Sequence, residues 1–458
     1  MSTLSEKLSQ FVVESKFEDL PADVVYEAKR VLLDSIGCAL GGIATDKGKI
    51  SIELARRLGG PPESSIFGVG DKVSCANAAF TNTELINAMD YDAVTTWGHV
   101  THYVIPPPLA VAQSVNASGR ELILATVLGH ELSMRIANGG IRRNGVTVSA
   151  FGFTMCIMGA VAGTGKILKL DPVQMTHAFG IAGHFCPVPT FAKWATTKPV
   201  AMTKYGSGWL SNGAVTAALL AEMGYIGDTT VFEGDHGFKR FIGVETLEPD
   251  MIMDKIGEKW HFLRIHYKPY PCGRVWQAPL DGFRSIIEQN NLSPGEIDSV
   301  KVQIAGPMVL PIWASQEINN HVDAEFSVPY AFAASAHRVR REDWQDWGTL
   351  NNPKVLAFMK KVSCQGLPED IYRQFPPRGG YGGVVEVVAK GKTFKDERLY
   401  ARGSSHPDDK MTDEDLVNKF KGNASRILTR DKIEKAVKSL WELEKMQDVA
   451  ELGKLITL

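Results

Sequence analysis

A chain of 458 residues has room for about two to four ordinary domains and a large core that needs no disulfide or metal staple. Lys plus Arg number 50 and Asp plus Glu 52, a formal net charge of −2, which leaves no general electrostatic footprint for nucleic acid. A charged fraction of 22% beside a hydrophobic fraction of 44% excludes a disordered chain, a collagen and a small disulfide scaffold.

Met1 to Lys16 mixes polar and apolar residues with both charge signs and lacks the apolar run of a signal peptide. Pro21 opens a strong helix, because Val25, Ala28, Leu32 and Ile36 recur at near-helical spacing. Further helical blocks are expected at residues 50–58, 77–90, 109–115, 122–138, 158–168, 172–182 and 214–223. Small apolar residues around most of their surface predict a closely packed, buried bundle. Residues 144–165 carry no charge and are long enough to span a bilayer, but five Gly, three Thr, one Ser and one Asn dilute them. They read as a loop entering a buried helix, not as a membrane span.

The texture changes after Trp260. Residues 299–305 alternate as a half-buried strand does, and residues 383–391 and 393–400 read as a hairpin turning at Gly391-Lys392. With helices expected at 280–289 and 325–336, this middle segment is an α+β unit. Helix returns at 416–420 and 432–455, behind a capping box made by Thr412 and Asp415. The six cysteines (Cys38, Cys75, Cys156, Cys186, Cys272 and Cys364) are scattered and form no CxxC pair, which suits a reducing cytoplasm.

Three segments carry candidate chemistry. Asp90 to His102 holds two acids, two histidines and two aromatics, ahead of Pro106 to Pro108, which are expected to fix an extended exit. A metal held by Asp90, Asp92, His99 and His102 lacks a further well-spaced ligand cluster; a general acid–base site and a self-satisfied polar loop are the other readings. His266 to Arg274 is a rigid turn that gathers Lys268, Tyr270, Cys272 and Arg274 where the textures meet, either as a ligand site or as a linker. No cysteine-hydrolase signature surrounds Cys272. Lys198 and Lys204 precede a helix expected near Trp209, where a cation and free N–H groups suit an anion; the glycines there equally suit a plain loop. Gly206-Ser-Gly208 is too short for a P-loop.

Taken in order, the chain resembles the MmgE/PrpD family, which includes 2-methylcitrate dehydratase, cis-aconitate decarboxylase and iminodisuccinate epimerase. The marks are Val31-Leu-Leu-Asp-Ser-Ile-Gly-Cys-Ala-Leu-Gly-Gly, Met89-Asp-Tyr-Asp with Thr101-His102, and Met202-Thr-Lys204 before Asn212-Gly-Ala-Val-Thr-Ala-Ala. Phe232-Glu-Gly-Asp-His-Gly-Phe, Lys268-Pro-Tyr-Pro-Cys-Gly-Arg274, Phe326-Ser-Val-Pro-Tyr330 and a late Lys419-Phe follow. The resemblance implies a mainly α fold, with a helical domain from residues 1–262 plus 401–458 and an inserted α+β lid domain at 263–400. It also implies a cofactor-independent, metal-free cytoplasmic homodimer that acts on a small polycarboxylate. Carried over by position, the catalytic residues are Asp90, Thr96, His102, Lys204, Lys268 and Tyr330. His99, Arg274 and Lys198 are substrate contacts, with Lys198 the rival to Lys204.

Two departures stand out: residues 148–154 lack the histidine that members commonly carry before the buried helix, and Gln277 stands where members commonly have another. The implied chemistry is removal of a proton next to a carboxylate, with His102 as base, Asp90 orienting it or handling the second proton, lysines and Arg274 on the carboxylates, and Tyr330 as donor. A dehydratase or decarboxylase is expected; an epimerase or isomerase, or a silent ligand-binding member, uses the same scaffold.

Overall fold

The computed structural model describes residues 2–141, 155–185, 198–205, 207–306, 309–375 and 380–457, and these are mainly helical. The first helix, α1 (Leu4–Glu14), was not foreseen: Thr3 and Glu6 form a reciprocal capping box, and Leu4, Leu8 and Val12 turn inward at helical spacing. Pro21 is the cap of α2 (Ala22–Gly42) and not its first residue. There follow α3 (Asp46–Leu58), α4 (Cys75–Asn87), the short α5 (Thr101–Val104), α6 (Pro106–Ser114), α7 (Gly119–Gly139), α8 (Cys156–Ile167), α9 (Pro172–His184) and α10 (Ser207–Glu222). Pro106 to Pro108 do not make the expected extended exit. They occupy the first turn of α6, where N–H groups have no helical partner to lose.

Glycine sets the closest helix approaches. A Cβ on Gly42 would stand 2.1 Å from the Leu85 carbonyl oxygen of α4, and one on Gly159 would stand 2.0 Å from the Gly129 carbonyl oxygen of α7. The described part of the uncharged stretch lies in α8, whose first eleven residues are nearly all buried; residues 144–154 lie outside the described residues. Among the described residues no helix is long and apolar enough to cross a membrane.

Two-residue strands β1 (Val94–Thr95) and β2 (Ile265–His266) pair antiparallel and tie the first half of the chain to the second. The sheet proper contains β3 (Ile297–Ile304), β4 (Val362–Gly366), β5 (Tyr381–Ala389) and β6 (Lys392–Tyr400), in the order β6–β5–β3–β4. β5 runs antiparallel to both neighbours, and β4 joins β3 in parallel, with Val300 opposite Val362. The hairpin turns one residue earlier than the sequence suggests, at Lys390 and Gly391, whose φ values of 52° and 69° match a two-residue loop. Helix α11 (Gln277–Gln289) packs on β5 and β6, with Gly282 close to Asp396 and Pro279 close to Gly383, and α12 (Val328–Ala336) lies beside it, where Phe283 meets Phe332.

The C-terminal part comes back to the start. α13 (Asp413–Ala424) carries the expected Thr412–Asp415 capping box and packs on α2, where Lys419 Nζ reaches Asp34 at 2.7 Å. The last block is not one helix: α14 (Arg430–Trp441) is followed by a 3₁₀ turn and a short helix, Ala450–Leu455.

Candidate functional site

Backbone geometry brings the two candidate segments together. After α4 the chain turns sharply at Asp90, whose φ of 49° lies in the left-handed region that aspartate tolerates. The β1–β2 pairing then lays residues 90–102 beside 265–274. Lys268, two residues past β2, donates to Asp90 twice, to the carbonyl oxygen at 2.8 Å and to Oδ2 at 2.9 Å. Lys204, just ahead of α10, ion-pairs with Glu325 and stands 3.9 Å from Asp90 Oδ1. Beneath this, Lys419 donates to the carbonyls of Tyr91 and Lys268 at 2.6 and 3.1 Å, so α13 braces both segments.

Asp90, Lys204, Lys268 and Glu325 are all fully buried, two cations facing two carboxyl groups. Burial alone would raise the Asp90 pKa, but Lys268, Lys204 and His99 outweigh it and hold the carboxyl below its usual range. Burial opposes the charge on Lys204, yet Glu325 and Asp90 hold its pKa above the ordinary value. Glu325 is pushed up to about 7, by burial against the pull of Lys204 and with the push of Asp90.

The two histidines are placed differently. His102 is buried with both nitrogens engaged: Nδ1 lies 2.8 Å from Asp92 Oδ2, and Nε2 lies 3.1 Å from Ser207 Oγ. Burial, against the pull of Asp92, lowers its pKa to about 4, so the ring is neutral, donating to Asp92 and accepting from Ser207. Asp92 also accepts from Asn87 Nδ2 at 3.1 Å. His99 stands in front, in the wall of a cavity of about 230 Å³. Its Nε2 lies 3.7 Å from Asp90 Oδ1, its Nδ1 lies 3.5 Å from Asp92 Oδ2, and its ring packs on Tyr205 with centroids 4.3 Å apart. Asp90, His99, Tyr205, Arg274, Trp276 and Trp313 all line this cavity.

The expected site residues thus divide. Asp90, Lys204 and Lys268 share one cluster, with His99 and Arg274 in the adjoining cavity wall. His102, expected to be the base, is not among the lining residues and sits one layer behind His99 and Tyr205, with ring centroids 5.4 and 6.1 Å away. Thr96 is bound to His266: since His266 Nδ1 accepts the Ser405 N–H, Nε2 carries the proton and donates to Thr96 Oγ1 at 3.3 Å. Tyr330, expected to donate from the lid, instead gives its hydroxyl proton to the Trp344 carbonyl, away from Lys268. Lys198 falls outside the cluster as well, held by the Glu317 carbonyl at 3.0 Å and Asp323 at 3.1 Å. Residues 148–154, where the family histidine is missing, lie outside the described residues. Gln277, at the second departure, stitches the turn after Lys268: it donates to the Tyr270 and Cys272 carbonyls, both at 3.0 Å, and accepts from Arg274 at 3.0 Å. Cys272 is buried, and burial pushes its thiol up to about 12, so it is no nucleophile at neutral pH.

Sequence reasoning gave no role to Glu325, Ser207 or Tyr205. The one signal for Glu325 is its place beside Phe326-Ser-Val-Pro-Tyr330, since a lone acid has no spacing pattern. Asp92, His99 and His102 each offer a ligand atom within 4.8 Å of the others, so these three are the residues that would hold a metal ion.

Two family models cover most of the chain: the MmgE/PrpD N-terminal domain matches residues 6–248 and the MmgE/PrpD C-terminal domain residues 270–443. Cis-aconitate decarboxylase of Homo sapiens is 24% identical, over 100% of this chain and 95% of its own. Cis-aconitate decarboxylase of Aspergillus terreus (strain NIH 2624 / FGSC A1156) is 27% identical, over 96% of this chain and 93% of its own. The Mus musculus enzyme of the same name is 23% identical, over 100% of this chain and 94% of its own.

Proposed function

The chain belongs to the MmgE/PrpD family, and from that membership and the geometry above we propose that it is a lyase, a dehydratase or decarboxylase, acting on a small carboxylate of the di- or tricarboxylate class. The named activity of the relatives supports this reading. The observation that carries it is the cavity lined at once by His99, Asp90 and Arg274. A carbon next to a carboxylate is a very weak acid, and its deprotonation drives charge onto the carboxylate oxygens. Arg274 would stabilise that charge while His99 takes the proton. The electron pair left on carbon then expels hydroxide, which leaves as water with one proton. In the decarboxylase no C–H bond breaks first: the carbon–carboxylate bond breaks, its electron pair stays on carbon, carbon dioxide departs, and protonated His99 gives the carbon a proton. His102 and Asp92 would position His99 from behind, the second histidine acting through the first. The reading includes a cytoplasmic homodimer free of metal and organic cofactor, and a helical body, 1–262 plus 401–458, that meets a lid of residues 263–400 across the cavity. The test is a panel of di- and tricarboxylates in deuterated water followed by proton NMR. Loss of water or carbon dioxide from one of them is the expected result. Deuterium exchange or inversion without elimination would make the chain an epimerase, and no change in any compound would overturn the reading.

A further inference from the structure

Arg274 is a buried cation, 6% exposed, and no carboxylate among the described residues forms an ion pair with it. Its five N–H groups can be accounted for one by one. Nη1 donates to Gln277 Oε1 at 3.0 Å and to the Arg402 carbonyl at 2.7 Å, and Nη2 donates once, to the Ala401 carbonyl at 3.1 Å. Nε–H has no partner among the described residues, and one N–H of Nη2 is left over. Nε with its neighbouring Nη is the edge of a guanidinium that meets both oxygens of a carboxylate. Burial lowers the Arg274 pKa to about 10, which leaves it charged at neutral pH. A second buried donor without a partner, Trp276 Nε1–H, belongs to the same wall.

Beyond Asp90, His99 and Tyr205, most of the remaining lining is apolar, with Tyr381 the polar exception and its ring centroid 5.9 Å from Arg274. The rings of Trp276 and Trp313 meet at 5.8 Å, with Val275, Leu310 and Phe326 around them. Lys204 is screened from the cavity, with its ammonium 5.3 and 5.4 Å from the ring centroids of Phe326 and Tyr205 and its charge spent on Glu325. Lys268 is spent on Asp90. Among the described residues the open cation at this cavity is therefore Arg274, set among tryptophans.

Building on the lyase reading, we infer that the substrate places one carboxylate on the Nε/Nη2 edge of Arg274 and carries an alkyl or aryl body that packs on Trp276 and Trp313, in place of a further carboxylate. A second charged group on that wall would lose its hydration to tryptophan rings without gaining a cation. An apolar group there gains by leaving water. At about 230 Å³ the cavity falls below the range of roughly 300–1,000 Å³ that holds drug-sized ligands, so the body is small.

The test uses three probes with one succinate core: succinate, 2-phenylsuccinate and tricarballylate, titrated calorimetrically into the full chain. Phenylsuccinate is expected to bind at least tenfold more tightly than the other two. Trp313→Ala should abolish that advantage and leave succinate unchanged. Arg274→Gln and Arg274→Lys should each weaken all three probes at least tenfold, the lysine variant because it keeps the charge and loses the fork; melting curves confirm that both variants fold. Tricarballylate binding best, no binding by any probe, or Arg274 variants within twofold of wild type would each overturn the inference. The readout is binding and needs no turnover. A chain that holds phenylsuccinate through Arg274 yet converts no carboxylate would refute the lyase reading alone.

Discussion

The two histidines make opposite predictions for activity and stability. His99 lines the cavity, and His99→Gln removes the proposed proton carrier, so kcat should fall by about 10²–10⁴, or roughly 2.7–5.4 kcal/mol of barrier. The fold should be retained, because glutamine keeps a polar side chain beside Asp90 and Asp92, which stand 3.7 and 3.5 Å from the ring. His102 is the reverse. His102→Leu leaves Asp92 without a hydrogen bond to a charged acceptor, about 1.5–3 kcal/mol, and Ser207 without its acceptor, about 0.5–1.5 kcal/mol. The sum is about 2–4.5 kcal/mol. With an unfolding entropy of about 2.1 cal/mol/K per residue, a cooperative unit of this length changes by about 1 kcal/mol per degree, so Tm should fall by about 2–5 °C. Activity in the His102 variant should drop by only about tenfold, through a less well held Asp92. Turnover of the substrate found by the NMR panel and differential scanning calorimetry, run on both variants, check this. If His102→Leu abolishes turnover at unchanged Tm while His99→Gln keeps it, the roles are inverted and the reasoning from burial is wrong.

His130 is buried with Nδ1 at 2.8 Å from the Thr126 carbonyl, and burial lowers its pKa from the ordinary 6.5 to about 4. The unfolded chain therefore takes up this proton first, and the stability it contributes is complete above about pH 6.5 and is lost as pH falls towards 4. Urea unfolding at pH 8 and pH 5 should show His130→Leu spared about 2 kcal/mol of the acid loss that wild type suffers; parallel losses in the two proteins would contradict it. Asp90→Asn strips Lys268 and Lys204 of a buried counter-charge and should cost about 3–5 kcal/mol of stability as well as activity, whereas an unchanged melting curve would show that the cluster does not depend on that charge. Tyr330→Phe should cost about 1 kcal/mol through the lost bond to the Trp344 carbonyl and leave kcat within twofold; a hundredfold loss of kcat would restore the tyrosine to the chemistry.

Much of the fold was legible because the helices are long and their inward faces regular. Ala28, Leu32 and Ile36 of α2, read at helical spacing, are buried, whereas Val25 is only half-buried and Val24 takes the inward place. The errors fell where a local rule has two outcomes. Three prolines in a row forbid a helix interior but suit a first turn, and the first turn is where Pro106 to Pro108 lie. Strand β4, Val362-Ser-Cys-Gln-Gly366, has one buried residue in five; it is a strand because β3 offers it a parallel partner, a contact that local sequence does not encode.

At the site, chemical types were legible and facing directions were not. His99 and His102 are three residues apart and equal as letters, yet one lines the cavity and the other is sealed between Asp92 and Ser207. What separates them is the start of α5 at Thr101, which turns His102 inward, while His99 precedes the helix beside Asp90. The lysines have a similar history. A lysine read along the chain appears as an open charge, whereas burial requires an anion beside it, and Asp90 and Glu325 supply those anions from segments far away in sequence. Among the described residues the cation left open to the cavity is Arg274, whose other N–H groups are met by neutral acceptors, two backbone carbonyls and Gln277. Neutral acceptors hold a guanidinium in place without cancelling its charge, and that separates an arginine kept for a ligand from a lysine consumed by the fold.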